Sequence, residues 1–411
     1  LKQMRKGGRH NWKARVAAPV SGFCIALICN GCLEVFEPET VTFESAIVIE
    51  ATITNEMKQH EVKLSRTYDF DAGGPQPVTG AMILVEDDQG SEYLFEESLP
   101  GTYISQDAFA TAQGRSYSLK VEANGRSYAS EPAALTPLAQ MDALYAERYT
   151  DGEGQEGVAI RVDASGLQGN AGNYRYAYEE TYKIIAPFWA PRILVIPDDP
   201  IHECEVRTAD RFTQGRVCYT TDPSRNIILT NTNQLAQDVV DGFIVRFIPR
   251  DNYIISHRYS ILVRQYVQSD AAYTFFETLD TFSGSESIFS ETQPGLLEGN
   301  VFAEGAAGEK VLGYFDVASV TERRIYFNYD DLFPGEPLPP YAEPCQIGSP
   351  AIAGPGGCIL QRVVEADLVR FYSDNEEPPP MGQGPFLTVS KVCGDCTALG
   401  SEEVPDFWTE E

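Results

Sequence analysis

The sequence predicts an all-β fold of two tandem β-sandwich domains, immunoglobulin-like in type, the second with irregular insertions and a short helix. Three features carry this expectation. Short segments alternate apolar and polar residues with a period of two, as in residues 46–54 and 61–66, so that every second side chain faces a core. Such segments recur with turn-forming residues between them, the spacing of a sandwich rather than of strand–helix–strand units. Only one stretch, after Ser269, has convincing helical spacing. At 411 residues the chain is long for one domain, so two are expected, each with enough length for a core.

The chain begins with a basic segment carrying Lys2, Arg5, Lys6, Arg9, Lys13 and Arg15, which runs into Phe23-Cys24-Ile25-Ala26-Leu27-Ile28 and then Cys29-Asn30-Gly31-Cys32. Basic residues, an apolar run and a small residue before cysteine read as an export signal. Pro19, Ser21 and Gly22 interrupt it, and its unbroken apolar part is far below the roughly 20 residues that span a bilayer. Residues 27–32 resemble a bacterial lipobox. That resemblance makes residues 1–31 a lipoprotein signal peptide and Cys32 the lipidated first residue of the mature chain. A simple secretory peptide with an incidental cysteine is the alternative. Several acyl chains anchor firmly where one does not, since each buried methylene contributes about 0.8 kcal/mol. Residues 32–39 then form a short tether.

The expected N-terminal domain covers residues 40–136. Beyond 46–54 and 61–66, strands read at 81–86, 91–96, 101–105, 116–122 and 127–130. Asp87-Asp88-Gln89-Gly90 and Asn124-Gly125 are hairpin turns; the second is the stronger signal, because Asn-Gly accepts the positive φ angles of a two-residue turn. Ala133-Ala134-Leu135-Thr136-Pro137 marks the boundary. The larger C-terminal domain, 137–411, has strands at 160–163, 174–179, 226–230, 242–247 and 260–266, interrupted by an insertion marked by Pro187, Pro191, Pro197 and Pro200. The helix takes Ser269 as N-cap and puts Tyr273, Phe276 and Leu279 on one face, a core stripe rather than a ligand site. Strands resume at 311–315 and 324–327, and 334–350 and 378–385 read as proline-rich loops.

The net charge is −29, and removal of residues 1–31, which hold six Lys and Arg and no acid, makes it −35. Phosphate is repelled by such a surface, which argues against nucleic acid and anionic headgroups as partners. Of nine cysteines, six lie beyond Cys32, an even number in an exported chain, so disulfides are the first reading. Cys204 and Cys218 are expected to bond to each other and pin the insertion, contributing about 3 kcal/mol in the chain-entropy model. Cys345, Cys358, Cys393 and Cys396 then pair among themselves in one of three ways. Zinc is the competing reading for Cys393-Gly394-Asp395-Cys396, with Cys345 and Cys358 completing the ligand set.

Catalytic signatures are not found. His60, His202 and His257 are far apart and lack metal or triad spacing, and no nucleophile elbow, zinc-protease motif or phosphate-binding glycine loop occurs. Acidic pairs such as Glu86 with Asp87 or Glu179 with Glu180 are unavoidable among 60 acids. Residues 151–156, Asp-Gly-Glu-Gly-Gln-Glu, offer oxygens to calcium but lack the spacing of a calcium loop, and an exposed acidic turn explains them as well. No cofactor, metal site or catalytic residue is expected.

Cys32 with Glu34 and Pro38, Thr52-Ile53-Thr54-Asn55-Glu56, Val62-Lys63-Leu64-Ser65-Arg66, Pro77-Val78-Thr79-Gly80-Ala81, Gly101-Thr102-Tyr103, Arg258-Tyr259-Ser260, Gly299-Asn300 and Val311-Leu312-Gly313-Tyr314-Phe315 follow one another. In that order they resemble the domain of unknown function 4249 family, lipoproteins of Bacteroidota often encoded beside TonB-dependent receptors. The likeness spans nearly all of the mature chain, and no family catalytic residue exists to carry over. It implies a lipid-anchored protein of the outer membrane, facing the cell surface, with a TonB-dependent receptor as partner. The expected function is thus a non-catalytic accessory or binding lipoprotein in nutrient uptake. A structural or assembly component of the outer membrane and an exported hydrolase are the alternatives. Phe188, Trp189 and Tyr219 are candidate contact residues.

Overall fold

The computed structural model describes residues 45–68, 74–166, 172–235, 237–284, 297, 299–306 and 308–410. The signal segment, Cys32 and the tether lie outside the described residues. The first strands are β1 (Ile47–Thr54), β2 (Glu61–Arg66), β3 (Gln76–Pro77), β4 (Met82–Asp87), β5 (Glu92–Leu99), β6 (Thr102–Ser105), β7 (Ser116–Ala123), β8 (Arg126–Ser130) and β9 (Ala133–Ala134). Then come β10 (Ala139–Thr150), β11 (Glu156–Gly166), β12 (Asn173–Ile185), β13 (Arg192–Val195), β14 (Arg207–Asp210), β15 (Val217–Pro223), β16 (Ile228–Asn231), β17 (Val239–Pro249) and β18 (Arg258–Gln268). Helix α1 (Asp270–Gly284), β19 (Val301–Ala303) and β20 (Val311–Asn328) precede a C-terminal part with α2 (Tyr329–Leu332), β21 (Ala353–Gly354), β22 (Gly357–Cys358), α3 (Ile359–Glu365), β23 (Val369–Asp374), β24 (Phe386–Ser390) and α4 (Lys391–Gly394). The fold is all-β, as its alternation predicts.

Turn chemistry works as read. Asn124 and Gly125 have φ of 52° and 74° and close the β7–β8 hairpin. At the β4–β5 turn the Asp87 carboxylate accepts the backbone N–H groups of Gln89 and Ser91, both at 2.9 Å. Strand β10 went unread, because a bulge between Met141 and Ala143 shifts the phase of its apolar residues part-way along.

Two apolar cores organise the chain. The first gathers Ile49, Val62, Val85, Tyr103, Leu119 and their neighbours from one continuous sheet that runs β20-β1-β2-β6-β5-β4-β7-β8-β19. Val301, Val311, Phe315 and Val317 also belong to it, so residues 40–136 alone do not complete this core. The second core lies between the three-stranded sheet β10-β11-β17 and the run β15-β12-β18-β20, with Val158, Ile160, Tyr174, Tyr259 and Ile261 at its centre.

Strand β20 serves both. The expected strands at 311–315 and 324–327 are one strand of 18 residues. Its first half, Val311 to Ala318, pairs in parallel with β1, and from Ser319 it pairs antiparallel with β18. Residues 315–320 are all buried, since this stretch is covered on both faces, and an uninterrupted buried run hides the period of two. At the crossing the chain returns to residue 136: the Ser319 N–H donates to Thr136 Oγ1 at 2.8 Å, and Thr136 Oγ1 donates to the Val267 carbonyl at 2.9 Å. Residues Ser45–Glu411 form one compact unit.

The disulfide pairing corrects the expectation. Cys204 bonds Cys358, Cys218 bonds Cys396 and Cys345 bonds Cys393, so Cys204 and Cys218 are not partners. The physical reason is that β15, carrying Cys218, is a sheet strand whose outer side is covered by the C-terminal residues through the Tyr219–Ser401 bridge. This sets Cys218 against Cys396 within one fully buried pair. The zinc reading falls with it, because all four of its cysteines are consumed in the three disulfides.

Candidate functional site

Helix α1 starts where the sequence places it. Ser269 Oγ accepts the Ala272 N–H at 3.1 Å, and Asp270 adds a carboxylate to the first turn, where the helix dipole favours negative charge. Asn173 on β12 donates to Asp270 Oδ1 at 2.8 Å, and Asn231 donates to the Tyr273 hydroxyl at 3.0 Å. These bonds fix the helix against β12 and β16 while Phe275 packs on Tyr314 of β20, ring centroids 4.9 Å apart.

Two cavities flank the helix. The larger, about 730 Å³, lies between α1, the residues around β9 and the start of β20, with Asp270, Thr274, Asn300, Tyr314 and Asp316 among its walls. The smaller, about 300 Å³, lies between α1, β1 and β20 and is mostly apolar. Phe275, Leu297 and Tyr314 line both. The wall is shaped by close backbone approach. A Cβ on Gly299 would sit 1.6 Å from the Gly313 carbonyl oxygen, and the Asn300 amide pairs with both the N–H and C=O of Phe315, each at 2.8 Å. Asn300 therefore acts as a strand neighbour in side-chain form.

Buried polar groups meet beside these cavities. Asp316 is fully buried and accepts Gln268 Nε2 at 3.0 Å, and Arg175 approaches it at 3.6 Å. Burial pushes the Asp316 carboxyl above its ordinary range, although Arg175 opposes the shift. The Arg175 guanidinium lies over the rings of Tyr266 and Phe276, 4.4 and 4.6 Å from their centroids. Among the described residues, Gln268 Oε1 and Arg175 Nε are buried without partners. The sequence reading singled out neither Arg175 nor Asp316. A signal was present: Asp316 is a lone acid inside Phe315-Asp316-Val317-Ala318, and buried acids need a reason.

The other residues considered from sequence have structural places. Asp151 Oδ1 accepts the N–H groups of Glu153 and Gln155 at 2.9 and 2.8 Å, so residues 151–156 form the turn that joins β10 to β11. Glu156 is paired with Arg148 and Arg250. His60 is buried, its Nε2 3.0 Å from the Phe109 carbonyl, and burial holds its pKa down at about 4. Tyr219 is buried against Trp408 and bonds Glu410, which removes it as a surface contact. Trp189 is half-buried and donates to the Gln214 carbonyl, and Phe188 packs on Tyr372. Glu180 accepts the Tyr259 hydroxyl at 2.6 Å and a two-point contact from Arg246, a closed network between the sheets rather than a reacting pair. Among the described residues, no group of three or more His, Cys, Asp or Glu is placed to hold a metal ion. No described helix is long and apolar enough to cross a membrane.

Among solved structures, a DUF4785 family protein from Legionella pneumophila is similar to 54% of this chain at 9% identity, with a TM-score of 0.17. The match spans about half of that protein, 52% of its length. No curated protein is significantly similar in sequence. Residues 34–324 match the domain of unknown function DUF4249, and the chain belongs to that family.

Proposed function

We propose that this protein is a non-catalytic, lipid-anchored lipoprotein of the outer membrane that captures or retains a ligand beside a TonB-dependent receptor. The observation that carries the binding part is the cleft of about 730 Å³ along α1. It falls in the size range of small-molecule sites and lies where two cores meet on one strand. The anchor rests on the basic, apolar and Gly-Cys order that ends at Cys32. The 14 residues between Cys32 and β1, at no more than roughly 3.5 Å each, reach at most some 50 Å and keep the body near its partner. That confinement raises the effective concentration, so a weak docking contact is well occupied.

Affinity purification of the tagged full chain from native membranes tests this. A large β-barrel receptor should be recovered in near-equal amount, and mass spectrometry should find an acylated Cys32. Recovery of the lipoprotein alone through repeated mild extractions would overturn the receptor partnership. An unmodified Cys32 in a soluble mature chain would overturn the anchor.

A further inference from the structure

We propose that the smaller cavity, between α1, β1 and β20, binds a monocarboxylate with an apolar tail and that Arg175 holds its carboxylate. This deepens the binding reading above and rests on it.

The cavity of about 300 Å³ is at the lower end of the range for small-molecule sites. Val48, Ala51, Phe276, Leu279 and Leu312 supply an apolar wall suited to a hydrocarbon or aromatic tail. Into this wall the fold introduces one cation among the described residues, Arg175. Arg175 carries five N–H donors in a planar fork, and its side chain is only 17% exposed. Among the described residues its one polar side-chain partner is Asp316, an ion pair at 3.6 Å, longer than an ordinary hydrogen bond, and its other contacts are two ring faces. Its Nε is buried with no acceptor among the described residues, and a buried N–H on a cation is costly unless something accepts from it.

The two ring contacts explain why the group is held ready: the Tyr266 and Phe276 rings pack on the guanidinium carbon at 4.4 and 4.6 Å, which restrains the side chain without occupying its N–H edge. A carboxylate matches that edge with two parallel bonds. Asp316 does not fill the role, because it takes its short bond from Gln268 and its burial disfavours the charged form. Glu50, the only carboxylate among the described residues of the cavity wall, is exposed, so water and salt weaken its repulsion. An apolar wall with a single cation also disfavours polyanions and sugar phosphates, whose remaining polar groups would stay unpaired.

The test uses the full chain in lipid nanodiscs, with empty nanodiscs as blank. Calorimetric titration compares 4-phenylbutyrate with the neutral 4-phenylbutanol and the cationic 4-phenylbutylamine. The acid should bind at least tenfold more tightly than the alcohol, and the amine more weakly than both. Arg175→Gln should bring acid and alcohol to equal affinity. Arg175→Lys, which keeps the charge but loses the fork, should weaken the acid several-fold. Val48→Phe fills the cavity without altering Arg175 and should abolish binding of both. Equal affinity of acid and alcohol for the unmodified protein, or no binding of the acid, overturns the proposal. So does an acid preference that survives in a folded Arg175→Gln chain; if that variant does not fold, undiminished acid binding by Arg175→Lys or Val48→Phe does the same. Receptor recovery from the same preparation separates the two readings: receptor without acid binding refutes this inference alone, and acid binding without receptor refutes the partnership alone.

Discussion

Removing the Cys218–Cys396 bond by a double change to alanine should destabilise the protein by less than its position in the chain suggests. The bond spans 178 residues, which by itself corresponds to about 5 kcal/mol of loop-closure entropy. The three disulfides, however, are arranged as one ring. From Cys218 the chain runs back to Cys204, across to Cys358, back to Cys345, across to Cys393 and on to Cys396. That path is only about 30 residues, so with the other two bonds intact the loss is about 3.6 kcal/mol. Removing Cys204–Cys358 alone should cost the same, because it belongs to the same ring. Removing both leaves the second bond's separation of 154 residues without a short path, so the second loss rises to about 5 kcal/mol. The two removals should therefore be coupled by about 1.5 kcal/mol. Voids left by the missing sulfurs enter the single and double variants alike and largely cancel from the coupling. Urea unfolding without reductant measures it. Trp189, bonded to the Gln214 carbonyl, and Trp408, packed on Tyr219, report from inside the pinned region. Additive losses of about 5 kcal/mol each, with coupling below about 0.5 kcal/mol, would refute the ring argument.

Two further outcomes follow from buried polar groups. Burial keeps the folded His60 pKa at about 4, against about 6.5 unfolded. Between these values the unfolded chain binds a proton that the folded chain refuses, so this contribution is full above the upper value and is lost as pH falls. Between pH 7 and 5 it amounts to about 2 kcal/mol. His60→Gln should show a correspondingly shallower pH dependence in paired unfolding measurements, and an unchanged slope would exclude His60 as its source. Asn300→Ala leaves the N–H and C=O of the buried Phe315 without their partner, at a cost of about 2–4 kcal/mol. A urea midpoint equal to that of the unaltered protein would show that water replaces the amide.

Much of the sheet around the first core was legible because its strands have one wet face and one dry face. Residues 46–54, 61–66 and 116–122 alternate cleanly, and the observed β1, β2 and β7 lie within one residue of those bounds. Ser269 announced α1 in the same local way, through a hydroxyl that satisfies the first helical N–H groups. Where both faces are covered, or where a bulge shifts the phase, the local signal weakens. This is why β20 read as two pieces and β10 did not read at all.

What the sequence by itself determined is therefore local: the all-β class, the turns at Asn124-Gly125 and Asp87–Gly90, the helix start and the family. The tertiary structure alone decided which distant segments meet. Disulfide partners are chosen by proximity in space, and Cys218 is closer to Cys396 than to Cys204 because the C-terminal residues cover β15. The cavities beside α1 arise in the same way. Arg175, Tyr266, Phe276 and Asp316 belong to four elements with no common motif, and they converge because β12, β18 and β20 are neighbours in one sheet with α1 packed against them. Periodicity records which face of a strand is dry. Pairing order, which requires the whole folded chain, determines what that face touches.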